Sequence, residues 1–144
     1  MSTYQHILVG LDLSPESHQV TQRVKYLFAN TGPKISICHV LEPLAFTYGG
    51  DIPVDLSDVQ AQLTDQATSR LAVYGQELQV DSQHQHIILG HPAQEMHSLA
   101  VRSDIDLIVV GSHGRHGLSL LFGSTSNAVL HRAQCDVLAV RIVD

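Results

Sequence analysis

Five short apolar runs, separated by stretches with helical period, constrain this chain's fold more than any other feature. They are His6-Ile7-Leu8-Val9-Gly10-Leu11, Ile35-Ser36-Ile37-Cys38-His39-Val40, Ile87-Ile88-Leu89, Leu107-Ile108-Val109-Val110 and Val137-Leu138-Ala139-Val140. Near-continuous Val, Ile and Leu with little polar alternation fits strands covered on both faces, as in a parallel sheet. Between them, Ser14-Pro15-Glu16 reads as an N-cap, a proline at the first helical position and an acid in the first turn. Val20, Val24, Leu27 and Phe28 then share a face, and Thr31-Gly32-Pro33 stops the helix. A longer helix is expected from near Asp55, with Val59, Leu63, Ala67, Leu71, Tyr74 and Leu78 as its stripe. His91-Pro92 opens a third helix carrying Met96, Leu99 and Ala100, and Gly123-Ser124-Thr125 a fourth carrying Val129, Leu130 and Ala133. This alternation, with right-handed crossovers, predicts an α/β fold: an open, doubly wound parallel sheet with helices on both faces. The connection from Leu41 to Leu56 reads equally as a flap over a site or as a plain surface loop.

The 144 residues fit one domain, 1–144. A net charge of −6, with two Lys and six Arg scattered along the chain, argues against nucleic-acid or anionic-membrane partners. Asp12 and Glu16 near the start, with no basic cluster, do not make a secretory leader. No apolar run reaches the roughly eighteen residues of a membrane span. Cys38 and Cys135 lie outside any C-x-x-C pattern and read as reduced thiols of a cytoplasmic protein. The last run reaches Val143 with no helical pattern after it. As a sheet edge it would present unpaired backbone groups, which a two-fold partner covers, so a homodimer through roughly Val137–Val143 is expected.

Open α/β sheets bind ligands beyond the carboxyl ends of their strands, where the winding changes direction. Two segments sit at such ends: Leu11-Asp12 with Ser14, and Gly111-Ser112-His113-Gly114-Arg115-His116-Gly117 leading to Gly123-Ser124-Thr125-Ser126. Glycine turns offer backbone N–H groups to an anion, and a helix start after Gly123 adds oriented donors. Arg115 is the formal cation of this stretch, joined by His113 and His116 when protonated. The same residues also fit a strand-end turn and an ordinary N-cap. Asp12 could hold a ribose hydroxyl or a metal, or cap the helix beside Ser14. There is no G-x-x-x-x-G-K-[ST] loop and no G-x-G-x-x-G after the first strand, which argues against P-loop and dinucleotide enzymes. His84 and His86 would share a strand face, but no ligand set completes a metal site around them. No Ser–His–Asp or Cys–His arrangement supports nucleophilic catalysis.

His6 through Ser17, Gly90-His91-Pro92, Asp104 through Gly114 and Cys135 through Arg141 together resemble the universal stress protein family over essentially the whole chain. The resemblance implies a sheet of order 3-2-1-4-5, a dimer joined through the last strand, and a cytoplasmic role in stress. It also implies an ATP or AMP site, with or without magnesium, since some members bind ATP through a G-x2-G-x9-G-[ST] segment. By that resemblance Asp12 and Val40 contact the nucleoside, while Gly111, His113, Gly114, Arg115, Gly123, Ser124 and Thr125 hold the phosphates. Here eight residues, not nine, separate Gly114 from Gly123. That spacing resembles the subgroup that does not bind ATP. Nucleotide binding without catalysis is the reading carried forward; a dimer acting through protein contacts, and a weak ATP hydrolase, are the alternatives.

Overall fold

Ile7, Leu8 and Val9 have no solvent contact on either side of their strand, and Val109 and Val110 have almost none. Each such side chain withdrawn from water stabilises the fold by about 1.5–3 kcal/mol. The structure, a computed structural model, describes residues 4–43, 57–111 and 134–143. In chain order these form β1 (His6–Gly10), α1 (Ser17–Phe28), β2 (Lys34–Leu41) and α2 (Ser57–Leu78). A 3-10 turn (Ser82–His84), β3 (Gln85–Leu89), α3 (Pro92–Arg102), β4 (Leu107–Gly111) and β5 (Asp136–Val140) follow. The five strands lie in the order β3-β2-β1-β4-β5, all parallel. The fold class expected from the apolar runs, and the order implied by the resemblance, are what the chain adopts.

Strand alternation divides the core. Ile7, Val9, Ile37, Leu107 and Val109 face α1 and α2, meeting Val20, Val24, Leu71 and Tyr74. Leu8, Cys38, Val40, Ile108 and Val110 face α3, meeting Ala93, Met96, Leu99 and Ala100. The two edge strands depart from the fully buried expectation: most of β3 is half-buried with Leu89 exposed, and in β5 only Val140 is buried. An edge strand has one neighbour instead of two, so its flanking helices cover it less completely.

Three local expectations are corrected. Val59 is exposed, so the buried stripe of α2 starts at Ala67. His84 belongs to the 3-10 turn, where its Nδ1–H donates to Asp81 Oδ1 at 2.7 Å, and does not share a strand face with His86. Ser14 is not the N-cap: a turn of successive i→i+3 bonds, from Ser17 to Ser14 and from His18 to Pro15, precedes α1.

At the amino end of the sheet, His6 ties three elements together. Its Nδ1–H donates to the Ser103 carbonyl at 3.0 Å, and its Nε2 accepts from the Ser36 hydroxyl at 2.8 Å. Asp106 accepts the backbone N–H groups of Gln5 and His6 at 2.8 and 3.1 Å. That end is closed by hydrogen bonds, which leaves the carboxyl end for ligands.

Candidate functional site

The order β3-β2-β1-β4-β5 puts the reversal of winding between β1 and β4, and the crevice beyond β1 is where such folds take ligands. There the chain makes an unusual turn. Leu13 has φ of +64°, a left-handed conformation that costs a branched side chain roughly 1–2 kcal/mol. Asp12 organises the turn: its Oδ1 accepts from the Ser14 N–H at 2.9 Å, the Ser14 hydroxyl at 2.7 Å and the Ser17 hydroxyl at 2.9 Å. An aspartate bonding the backbone two residues on is a standard turn-former. The carboxylate also lies at the start of α1, where the helix dipole favours negative charge. What the structure shows of Asp12 is this turn; no side chain caps α1, whose N-cap residue is Glu16. The carboxylate recruits the Ser14 hydroxyl as a donor, which removes that oxygen from the capping role the sequence gives it.

Beside this turn, Gly10, Leu11, Asp12, Cys38, His39, Val40, Pro92 and Met96 line a shallow slot that opens to solvent and encloses little more than the space of one water molecule. Its walls are almost wholly apolar apart from the Asp12 turn and His39. A Cβ at Gly10 would stand 2.5 Å from Met96 Cε and 3.3 Å from Val110 Cγ1, so the flexible end of Met96 would have to move to admit it. Cys38 lies beneath, fully buried, and burial pushes its thiol up to about 12, so it is a packing residue and not a nucleophile. Both Cys38 and Cys135 are free thiols. His39 donates from Nδ1–H to the Leu11 carbonyl at 2.7 Å, fixing the last residue before the turn. Nothing in the sequence around His39 singles it out, because its partner, Leu11, lies just past the end of β1, far away along the chain.

Tyr74 reaches the turn from α2. Its hydroxyl donates to the Ser14 carbonyl at 3.0 Å. Burial, and then the charges of Asp12 and Glu77, raise this hydroxyl above the ordinary phenol value against the opposing bond to Ser17, so it stays a donor at neutral pH. Next to it Glu77 clamps α1: it accepts from Thr21 Oγ1 at 2.8 Å, Gln22 Nε2 at 2.9 Å and His18 Nδ1 at 3.0 Å.

Of the candidate site residues, Asp12 and Val40 come together at the slot. Gly111 ends β4 in register with Val140. A Cβ on Gly111 would meet Ile142 at 3.2 Å and Val20 at 3.3 Å, so the position is tightly packed. His113, Gly114, Arg115, Gly123, Ser124 and Thr125 lie outside the described residues, as does the helix expected after Gly123. Among the described residues, no group of three or more His, Cys, Asp or Glu is placed to hold a metal ion, and no helix is long and apolar enough to cross a membrane.

The chain is thus a doubly wound α/β domain, with the slot beyond the carboxyl ends of β1 and β2. The comparisons narrow this class. The sequence model of the universal stress protein family matches residues 3–141. The chain is 42% identical to Universal stress protein A homolog 2 of Coxiella burnetii over 144 residues, which span 99% of this chain and 98% of that protein. In structure it is similar to universal stress protein UspA from Lactobacillus plantarum, with a TM-score of 0.70, 23% identity, and 98% and 100% of the two chains covered. It is also similar to a universal stress protein solved in complex with cAMP, with a TM-score of 0.56, 25% identity, and 96% and 98% covered. This chain belongs to the universal stress protein family.

Proposed function

We propose that the chain is a cytoplasmic, non-catalytic binding module that takes an adenine nucleotide, ATP or AMP, beyond the carboxyl ends of β1 and β2. The observation that carries this reading is the apolar slot set directly against a preformed polar turn. Val40, Pro92 and Met96 are walls suited to a flat base, and the Asp12 turn suits ribose hydroxyls. The cAMP-bound relative supports an adenine nucleotide as the ligand class. On this reading Gly111, His113, Gly114, Arg115, Gly123, Ser124 and Thr125 serve the phosphates, and magnesium, where it takes part, arrives with them. Asp12 Oδ1 already accepts three hydrogen bonds, which favours an architectural role for this carboxylate over a catalytic metal. The test is calorimetric titration of nucleotide-stripped protein with ATP and AMP, with and without magnesium. Saturable heat is expected; silence at millimolar nucleotide would place the chain among members that act through protein contacts.

We infer also that two copies pair along β5. Among the described residues that strand has β4 as its single neighbour in the sheet, and it carries Val137 and Leu138 half-buried and Ala139 exposed. An edge of this kind is normally concealed. The charge that tests it belongs at Ala139, because Val140 is buried in the core and a charge there would unfold the chain. Ala139→Asp is expected to sediment as a monomer with unchanged circular dichroism; a surviving dimer would rule out this interface.

A further inference from the structure

We propose that Tyr74 is a positioning residue for this site: its hydroxyl holds the Ser14 carbonyl and so keeps the Asp12-Leu13-Ser14 turn in its receptive shape. This rests on the nucleotide reading above. Leu13 at φ +64° is the starting observation, because a branched residue disfavours that region by about five- to thirtyfold. Such strain persists where the surroundings over-determine it, and it concentrates at ligand clamps. Here two bonds onto Asp12 come from Ser14 within the turn, and the third from Ser17, the first residue of α1. Together with the Ser17 N–H on the Ser14 carbonyl they anchor the turn to α1, and none of these bonds reaches α2.

Tyr74 grips it from outside, sixty residues further along the chain, through the 3.0 Å bond to Ser14. The tyrosine itself is rigidly held. It is 6% exposed and packed in the core with Val20, Val24 and Leu71. The His18 ring lies tilted over it at 4.9 Å. Three residues on, Glu77 is bonded to His18, Thr21 and Gln22, so α2 cannot slide along α1 without breaking that set. The hydroxyl is thus a fixed point of the core that holds Ser14, the neighbour of the strained Leu13. A ligand sees an affinity scaled by the fraction of molecules whose turn is in the binding shape. Removing the hold from α2 lowers that fraction.

Tyr74→Phe deletes the hydroxyl and keeps the ring, so the core packing remains. The ATP dissociation constant is expected to rise about three- to tenfold, the range one hydrogen bond spans. The discriminating measurement is the same substitution in a Leu13→Gly background. Glycine adopts positive φ without strain, so the loss caused by Tyr74→Phe should shrink there to within about twofold. A general packing defect would persist unchanged in both backgrounds. Independently of any ligand, the Leu13 amide-to-Hα coupling constant reports its φ and should move in Tyr74→Phe. If the parent chain binds no ATP, the nucleotide reading itself fails. If the parent binds and Tyr74→Phe binds as tightly, or the loss is equal in both backgrounds, or the Leu13 coupling is unmoved, the positioning role is wrong while the nucleotide reading stands.

Discussion

Replacing Asp12 by asparagine removes one negative charge and almost no volume, so its effect isolates what the ionised carboxylate contributes to the turn. Oδ1 accepts three hydrogen bonds between 2.7 and 2.9 Å. Bonds to an ionised acceptor contribute about 1.5–3 kcal/mol each and neutral ones about 0.5–1.5, a difference of roughly 1 kcal/mol per bond. The turn is half-buried, and solvent screening reduces the sum of roughly 3 to about 2 kcal/mol. For a chain of this size about 2 kcal/mol corresponds to a fall in Tm of roughly 4–8 °C. The assay is thermal denaturation followed by circular dichroism at pH 7 and low salt, with a urea titration to confirm an unchanged m-value. Asp12→Ala, which leaves the buried Ser17 hydroxyl without this acceptor, should fall further. An Asp12→Asn variant as stable as the parent would show that the carboxylate does not hold the turn.

Gln79 follows α2 at φ +59°, with the Val80 N–H on Gly75 O at 2.7 Å and the Gln79 N–H on Gln76 O, the bonds of a Schellman cap. Gln79→Gly should therefore raise stability by about 1 kcal/mol, seen as a Tm higher by roughly 2–4 °C; a decrease would contradict the cap. Met96 is 1% exposed and fills the space over Gly10, so Met96→Ala should cost about 2–5 kcal/mol in urea unfolding. Burial is the main cause that lowers the imidazoles of His6 and His86; for His86 the neighbouring His84, Arg102 and His6 charges add to it. A depressed histidine means that below about pH 6.5 the unfolded chain binds protons the folded chain resists. Stability should therefore be fully present above that pH and decline as pH falls from it; a urea midpoint higher at pH 5.5 than at 7.5 would refute this.

The sheet is legible in the sequence because its central strands are buried on both faces, which leaves Ile7 to Val9 and Leu107 to Val110 as unbroken apolar runs. The edges are less so: Gln85 and His86 belong to β3 yet carry no apolar signal, since a half-covered strand tolerates polar residues. Asp12 is recognisable as a strand-end carboxylate, but the direction of the Ser14 hydroxyl is not. A serine before Pro15 suits a cap by pattern, and only the nearby carboxylate makes it a donor. Tyr74 sits in the apolar stripe of α2, and its ring obeys that pattern. Its hydroxyl finds a partner sixty residues away, which no local period encodes. His39 and Met96 reach the slot through strand pairing and helix packing, and the same reasoning applies to them.

The central claim is that the slot between the Asp12 turn and α3 receives the adenosine part of a nucleotide. The most direct measurement is the backbone amide spectrum of isotope-labelled protein during titration with ATP. Saturable shifts concentrated at Gly10, Leu11, Asp12, His39 and Val40, with the His6 end of the sheet unmoved, are the predicted result. An unchanged spectrum at millimolar ATP, or shifts confined to residues away from that slot, would contradict it.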